Sequence, residues 1–403
     1  MSESSPIDPE FEPYPIEPEP EPDPFDPEHV VVFDTTLRDG EQTAGVCFSA
    51  SDKVEIALAL AEMGVDVIEA GFPISSAAEC AAVAEVAANV RGARVCALAR
   101  AVPKDVAAAG EALRFAEEPR IHVFVNASDM HLAHQLNKTR EQVLAMAAAM
   151  VRSAREFTDD VEFSPMDATR ADRAFIGELA QVTVAAGATT INLPDTVGYA
   201  TPDQVASMVA YVRGLVPEAV ISFHGQDDLG LATANALAAV AAGARQVEVV
   251  VNGIGERAGN TAFEEVVAGL SVHGERLGVA TGVDLRGMGQ LSALVEERSG
   301  VRVPPNKAVV GGNAFRHASG IHQDGVLKQR ETYEVLDPEA VGHTVGTQIV
   351  LGKLSGRGGF AQRVAALGYH LAEAPLEQAF RRFQTLAATK PEIDDADLRA
   401  LCG

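Results

Sequence analysis

Short apolar runs recur eight times between His29 and residue 253, and longer alanine-rich segments separate them. The runs have the length of buried strands, and the segments between them, such as 51–64 and 139–157, have apolar residues at helical spacing. Strands are predicted at 30–37, 65–72, 94–100, 120–127, 160–165, 189–196, 220–226 and 246–253. Because strand and helix alternate throughout, the pattern indicates a parallel sheet wrapped by helices.

Eight strand–helix units in about 245 residues match the size of a closed (β/α)8 TIM barrel. An open doubly wound sheet is the competing architecture, but no GxGxxG turn follows the first strand. A barrel over residues 29–300 is therefore predicted, with its chemistry where the strands run out into the following loops. Eight polar residues are assigned to that end: Asp39, Glu69, Arg100, Ser164, Asn192, Thr196, His224 and Gln226.

Two segments do not follow this alternation of strands and helices. Residues 301–403 mix glycine, proline and polar clusters before a helical tail, which predicts accessory subdomains packed over a barrel mouth. Residues 1–28 contain ten acidic residues and nine prolines. Such a segment buries too little apolar area to offset its ordering entropy, so a disordered tail is predicted, with an acidic docking arm as the alternative.

Composition narrows the class of protein. The chain has 403 residues, of which 47 % are hydrophobic, so it can bury a large core. It has no apolar run long enough to span a membrane and no signal peptide pattern, which predicts a cytoplasmic protein. The formal net charge of −25 disfavours nucleic acid and anionic membranes as partners. Four scattered cysteines fit a reducing compartment rather than a disulfide framework or a thiolate zinc site.

Three loop segments contain candidate ligands. In DTTLRDGEQTAG, Asp39 is a hard oxygen ligand for Mg²⁺ or Mn²⁺, and Arg38 offers a planar fork to a carboxylate. In HGQDDLG, His224 and Gln226 are two apart and can point together into the barrel mouth. Asn260 of NGIGERAGN can offer an amide oxygen at the start of a helix. Each candidate also has an ordinary structural explanation: a surface ion pair for Arg38 and Asp39, a hydrogen-bonded polar pair at a strand end for His224 and Gln226, and a helix N-cap for Asn260.

Seven motifs occur together and in order: DTTLRDGEQ, EAGFP, INLPDTVGY, HxxxDLGLATANALAAVAAGARQVE, NGIGERAGN, SGIHQDGVLK and LGKLSGR. Over residues 30–365 they resemble the family of 2-isopropylmalate, homocitrate and citramalate synthases. The resemblance implies an acyltransferase that condenses acetyl-CoA, its co-substrate, with a 2-oxo acid and then hydrolyses the thioester. It also implies a divalent metal ion, Mg²⁺ or Mn²⁺.

The resemblance also implies roles for individual residues. The expected metal ligands are Asp39, His224, Gln226 and Asn260. The expected substrate-binding residues are Arg38, His122, Ser164, Met166, Asn192 and Thr196, and the expected catalytic residues are Arg38, Gln42 and His322. His322 matches a residue that reaches into a neighbouring subunit's site, which implies a homodimer. It is also the candidate for part of the proton removal from acetyl-CoA.

Two positions depart from the family's pattern. Gln226 replaces a typical histidine, and its harder, neutral amide oxygen favours Mg²⁺ or Mn²⁺ over Zn²⁺. Met166 of FSPMDA stands where relatives typically have glutamate. The methionine leaves part of the acid–base apparatus unassigned, and it makes the cavity more tolerant of a larger apolar group or an extra negative charge.

The acceptor substrate stays open between alternatives. The motifs are most like the 2-isopropylmalate synthase branch, so 2-oxoisovalerate is the first expectation. The chain ends at residue 403, without room for a leucine-binding regulatory domain, so no leucine feedback is expected. A short, unregulated form could instead condense phosphonopyruvate to 2-phosphonomethylmalate in a specialised pathway, and homocitrate or citramalate synthesis are further alternatives.

Two rival classes are weighed against this hypothesis. Hydroxymethylglutaryl-CoA lyases share the barrel and resemble the first loop, but their catalytic cysteine in a glycine-rich loop has no counterpart here. A non-catalytic binding protein is the second rival, because Gln226 and Met166 depart from the family's pattern.

Overall fold

The computed structural model describes residues 28–403, so the predicted tail lies, except for Glu28, outside the described residues. Eight parallel strands close into a barrel in chain order, and β8 is hydrogen-bonded back to β1. The strands are β1 Val31–Asp34, β2 Val67–Gly71, β3 Arg94–Arg100, β4 Pro119–Asn126, β5 Asp160–Met166, β6 Thr190–Asp195, β7 Val220–Gly225 and β8 Gln246–Val249. The predicted (β/α)8 barrel is confirmed.

Helices cover the outside of the barrel and return the chain between strands. They are α1 Ala50–Glu62, α2 Ala77–Asn89, α3 Pro103–Ala112, α4 Asp129–His131, α5 Arg140–Ala154, α6 Arg173–Ala185, α7 Pro202–Leu215, α8 Ala232–Ala241, α9 Phe263–Leu277 and α10 Met288–Ser299. Local sequence fixes several of their starts. Ser49 and Asp52 form a capping box at α1, and α3 and α7 begin with proline, whose missing N–H costs nothing in a first turn.

The first and last strands are shorter than predicted. The first prediction ran to residue 37, but β1 ends at Asp34, whose carboxylate accepts a hydrogen bond from the backbone N–H of Thr36 at 2.9 Å. This side-chain-to-backbone bond competes with strand pairing and turns the chain. The last prediction ran to residue 253, but β8 ends at Val249 and a 3-10 turn, Val251–Gly253, follows.

The inside of the barrel is largely polar. Arg120 of β4 contacts Gln246 of β8 at 2.6 Å, and Gln246 contacts Glu162 of β5 at 2.8 Å. Since these strands are not neighbours, the contacts cross the interior. Aliphatic residues instead fill the layer between strands and helices. Buried charges without partners would be costly, and here opposite charges and amides satisfy one another.

Residues beyond the barrel form a smaller region with its own core. Its elements are β9 Arg316–His317, α11 Gly320–Lys328, β10 Gln348–Ile349, α12 Arg357–Ala366, α13 Glu373–Ala387 and α14 Asp395–Cys402. Phe360, Phe383 and Leu398 lie at the centre of a hydrophobic cluster separate from the barrel core. Within residues 28–403, no helix is both long and apolar enough to cross a membrane.

Candidate active site

A cavity of about 250 Å³ opens at the carboxyl ends of the barrel strands. Ten of the predicted site residues line it: Arg38, Asp39, Gln42, His122, Ser164, Met166, Asn192, Thr196, His224 and Gln226. Asn260 lies directly beside Gln226, whereas His322 does not line this cavity within the chain. The structure therefore brings together side chains that are up to 222 residues apart along the sequence, from Arg38 to Asn260.

Four side chains at one side of the cavity form what we call the ligand cluster: Asp39, His224, Gln226 and Asn260. The amide nitrogen of Gln226 lies 3.1 Å from Asp39 Oδ2, 3.2 Å from His224 Nε2 and 3.0 Å from Asn260 Oδ1. An amide nitrogen has two hydrogens, yet three acceptor atoms surround it. Asp39 Oδ1 and Gln226 Oε1 are buried and accept no hydrogen bond from any residue in 28–403. Acceptors in excess of donors, from one carboxylate, two amides and an imidazole, fit a hard divalent cation.

His224 is oriented from behind by Glu248. Its Nδ1 lies 2.7 Å from Glu248 Oε2, and both side chains are buried. This bond places the proton on Nδ1 of the neutral ring and directs the lone pair of Nε2 towards the ligand cluster, which is the usual support for a metal-ligating histidine. Although burial opposes the charged ring, Glu248 and Asp39 raise the pKa of His224.

Arg38 is largely committed to neighbouring carboxylates. Its Nε lies 2.6 Å from Glu69 Oε2 and its Nη1 lies 2.9 Å from Asp39 Oδ2, whereas among residues 28–403 Nη2 has only a 3.9 Å contact with Glu248. The guanidinium is therefore charged and fixed in place by its anionic neighbours. It offers a substrate one amino group, Nη2, rather than the whole free fork.

A buried polar chain forms the floor of the cavity. His122 Nδ1 lies 2.8 Å from Glu69 Oε1, His122 Nε2 lies 2.6 Å from Ser164 Oγ, and Asn192 donates to the same Oγ at 2.9 Å. Although burial favours the neutral ring, Glu69 raises the pKa of His122 to about 9. At neutral pH both ring nitrogens then donate, so Ser164 Oγ accepts two hydrogen bonds and its own hydroxyl proton is free to donate.

Opposite the ligand cluster, four residues form an apolar wall: Leu98, Phe124, Met166 and Pro194. They come from the consecutive strands β3, β4, β5 and β6, whereas the ligand cluster comes from β7, β8 and β1 and the loops that follow them. The prediction included Met166 but missed the other three. An apolar residue in a strand usually faces the core, so the sequence alone gives no signal that these side chains line a cavity.

Thr196 and Gln42 complete the rim of the cavity. Thr196 Oγ1 accepts a hydrogen bond from the backbone N–H of Asp167 at 2.9 Å, which leaves its own hydroxyl proton for another acceptor. The side chain of Gln42 is exposed and makes no hydrogen bond to any residue in 28–403, so its amide group is available to a bound molecule.

Three predicted residues are not placed as the sequence suggested: one does not line the cavity, one does not begin a helix, and one lies on a different element from the cavity. Arg100 ends β3 as predicted but does not line the cavity, because its guanidinium pairs with Asp105 at 2.6 Å. Asn260 does not open a helix, since α9 begins at Phe263 and Asn260 instead bridges to Gln226. His322 is exposed on α11 and stacks on Tyr333, with 4.1 Å between ring centroids.

A second group of buried ligands lies deeper in the barrel. Ligand atoms of His122, Glu162 and Glu248 lie within 4.8 Å of one another. Both nitrogens of His122 are already hydrogen-bonded, and Glu162 contacts Arg120 and Gln246. Burial also raises the pKa of Glu162 to about 7, so much of it is protonated at neutral pH. The ligand cluster, with its unsatisfied oxygens, fits a cation better.

Comparisons with known proteins find similar sequences over most of the chain. Residues 29–295 match the HMGL-like family and residues 309–391 match the homocitrate synthase post-HMGL domain-like family. The chain is 52 % identical to the 2-isopropylmalate synthase of Pyrococcus abyssi, over 92 % of this chain and 77 % of that protein. It is 50 % identical to the 2-isopropylmalate synthase of Syntrophus aciditrophicus, over 93 % and 73 %.

Solved structures show the same barrel in more distant proteins. The HMG-CoA lyase of Brucella melitensis is 25 % identical, with a TM-score of 0.58 over 68 % of this chain and 100 % of the lyase. The hydroxymethylglutaryl-CoA lyase of Pseudomonas aeruginosa is 24 % identical, with a TM-score of 0.58 over 69 % and 95 %. At 24 % identity, the likeness to the Pseudomonas aeruginosa lyase shows a shared fold alone.

Proposed function

This chain belongs to the HMGL-like family, and we propose that it is an acyltransferase of the 2-isopropylmalate synthase type, which condenses acetyl-CoA with a 2-oxo acid. The proposal rests on the division of the cavity into a ligand cluster and an apolar wall. A 2-oxo acid with a short alkyl side chain has the same division, with two adjacent polar groups at one end and an apolar group at the other. We therefore propose 2-oxoisovalerate as the first acceptor to test.

The polar end of the acceptor is bound by the ligand cluster and its neighbours. A divalent cation held by Asp39, His224, Gln226 and Asn260 would polarise the keto group and stabilise the alkoxide that forms. Arg38 Nη2 and the Thr196 hydroxyl are donors available to the acceptor's carboxylate. The alkyl side chain then lies against the apolar wall, which excludes water from the reacting carbon.

Condensation also requires removal of a proton from the acetyl methyl group. We propose that His322 of a partner subunit contributes to this step in a homodimer. The region around α11 supports a dimer, because Ile321, Val335 and Leu354 are 75 %, 78 % and 75 % exposed and form apolar surface that a partner would cover. Tyr333, stacked on His322, would enter the same site with it.

The function is tested by CoA release in the presence of Mg²⁺ and a panel of acceptors: 2-oxoisovalerate, pyruvate, 2-oxoglutarate and phosphonopyruvate. We expect the highest kcat/KM with 2-oxoisovalerate. A preference for phosphonopyruvate would replace the proposed acceptor, and release of acetoacetate from hydroxymethylglutaryl-CoA would identify a lyase instead. Absence of CoA release with every acceptor would contradict the reaction class.

The dimer is tested by mixing two inactive variants, Asp39→Asn and His322→Ala. If His322 acts in the partner's cavity, each mixed dimer regains one complete site, and about a quarter of the parental activity returns when subunits exchange freely in a symmetric dimer. Each variant alone is the control. No recovery in mixtures shown to contain mixed dimers would contradict a shared site.

A further inference from the structure

Lys53 of α1 is a buried ammonium group directly behind the loop that contains Arg38 and Asp39. The residue is 0 % exposed. Its Nζ lies close to five oxygen atoms: Leu37 O at 3.0 Å, Ala70 O at 3.2 Å, Glu41 Oε2 at 2.8 Å, and Glu79 Oε1 and Oε2, both at 2.8 Å. Three ammonium protons are thus shared among two backbone carbonyls and two carboxylates.

These contacts hold the first loop on both sides of its functional residues. The carbonyl of Leu37 immediately precedes Arg38, and Glu41 follows Asp39 by two positions. Glu41 also accepts a hydrogen bond from the backbone N–H of Phe48 at 2.8 Å, so the far end of the loop is tied to the same point. The ammonium therefore limits the movement of the backbone that carries Arg38 and Asp39.

The same ammonium also holds the end of β2. Ala70, whose carbonyl it contacts, follows Glu69, and Glu69 is the carboxylate that accepts from Arg38 Nε. Glu79 in addition accepts from the backbone N–H of Phe72 at 3.0 Å. Gly71 has a φ of +155°, and a Cβ there would lie 1.9 Å from Glu79 Oε1. A side chain at position 71 would displace this carboxylate, so the glycine leaves the space that Glu79 occupies.

Burying an ammonium group at the start of a helix carries an unfavourable desolvation free energy. Leucine or methionine would occupy similar volume without the desolvation penalty that Lys53 incurs. What the lysine adds is a fixed distance between two backbone segments, one ending at Leu37 and the other at Ala70. The cavity uses both segments, because Arg38 and Asp39 lie on the first and Glu69 on the second.

We propose that Lys53 is a positioning residue for the cavity: it sets the geometry of Asp39 in the ligand cluster and of Arg38 against Glu69. It touches neither the acceptor nor the ligand cluster and acts through the backbone. This inference rests on the proposed function for its effect on the acceptor. Its effect on cation binding is independent of which acceptor the protein uses.

The experiment compares Lys53→Met and Lys53→Arg with Ile56→Ala, all in the full-length chain. Ile56 is fully buried on the same helix and takes no part in the hydrogen bonds of the ammonium group, so its truncation destabilises α1 and leaves those hydrogen bonds in place. Mn²⁺ affinity is measured by electron paramagnetic resonance of the free ion, folding by circular dichroism and thermal unfolding, and activity by separate KM values for the 2-oxo acid and acetyl-CoA.

For Lys53→Met we expect Mn²⁺ binding about tenfold weaker and a KM for the 2-oxo acid raised about tenfold, with the acetyl-CoA KM within about twofold, because only the 2-oxo acid contacts the displaced loop. Lys53→Arg should recover part of the Mn²⁺ affinity. Ile56→Ala should lower the unfolding temperature and leave Mn²⁺ affinity unchanged. Parental Mn²⁺ affinity in Lys53→Met, or an equal loss in Ile56→Ala, would overturn the inference.

Loss of the ammonium leaves two carboxylates facing each other, so Lys53→Met could fail to fold. The double variant Lys53→Met/Glu79→Gln removes one negative charge with the positive one and replaces the single variant in that case, with the same expected results. If the parent binds Mn²⁺ but converts no 2-oxo acid, the proposed function fails while the Mn²⁺ measurements still decide the role of Lys53.

Discussion

The two sides of the cavity are built in different ways. Every member of the ligand cluster is held by other polar groups, and its distances fall between 3.0 and 3.2 Å around the Gln226 nitrogen. The apolar wall consists of Leu98, Phe124, Met166 and Pro194, which meet a ligand by shape alone. The free energy of a polar contact depends steeply on its distance and on the partner, whereas the free energy of apolar contacts grows with the area that they bury. Changes on the first side should therefore abolish the reaction, and changes on the second should shift the choice of acceptor.

The largest expected effect is in the ligand cluster. His224→Ala removes one ligand and leaves Glu248 buried without its partner, so we expect kcat/KM to fall by about a thousandfold or more, as for loss of a group that stabilises the transition state. Mn²⁺ binding should weaken in parallel. Chelation of metal from the parent should abolish CoA release, and added Mg²⁺ or Mn²⁺ should restore it. Full activity of metal-free His224→Ala would contradict the assignment.

Arg38 should give the next largest effect. Lysine keeps the charge but cannot contact Glu69, Asp39 and a substrate at once, so Arg38→Lys should lower kcat/KM for the 2-oxo acid by about a hundredfold. Steady-state kinetics with each substrate varied in turn checks this. Turnover within about twofold of the parent would place the carboxylate contact elsewhere.

Met166 tests the apolar wall. Glutamate at this position would place a charge near the distal end of the acceptor, where a second anion would be repelled in a poorly screened cavity. We expect Met166→Glu to reduce kcat/KM for phosphonopyruvate about tenfold more than for 2-oxoisovalerate. Met166→Leu, which keeps the wall apolar, is the control and should leave the ratio near that of the parent. An unchanged ratio in Met166→Glu would show that position 166 does not contact the distal group.

The smallest expected effect is a dependence of the unfolding free energy on pH, which comes from His122 in the floor of the cavity. Because Glu69, with Glu162 and Glu248 nearby, raises the pKa of His122 to about 9, the charged ring stabilises the fold fully below its unfolded pKa, and this contribution is lost as pH rises towards 9. The free energy of unfolding should fall by up to about 3 kcal/mol between pH 6.5 and 9.5. Thermal unfolding across this range, compared with His122→Gln, checks the prediction. The same pH dependence in both proteins would assign it to another group.

The regular parts of the fold could be predicted because they repeat. Eight apolar runs separated by helical segments identify a barrel even when the ends of β1 and β8 are misplaced, since each unit confirms its neighbours. Candidate ligands such as Asp39 and His224 were found because unusual polar residues follow strands. Arg100 satisfies the same rule and does end β3, but it pairs with Asp105 instead of lining the cavity, and the sequence does not show which partner a side chain at a strand end will take.

Other features depend on contacts between distant segments. Leu98 and Phe124 look like ordinary core residues, and Lys53 looks like a solvated lysine on an amphipathic helix. Their surroundings are contributed by residues far along the chain, such as Glu79 for Lys53. Helical spacing describes one element at a time, so it cannot identify a residue whose partners lie on other elements.

The polar interior limits how such a barrel can change over generations. Replacing Arg120 removes its contacts with Asp160, Glu162 and Gln246 together, and breaking a buried ion pair costs about 3–5 kcal/mol, a large share of a domain's stability. Compensating pairs must then arise together, which is a rare event. A residue of the apolar wall can be exchanged singly and still leave a folded protein. The route to a new acceptor that needs the fewest simultaneous changes therefore runs through the apolar wall on β3 to β6 and not through the paired polar residues of the interior.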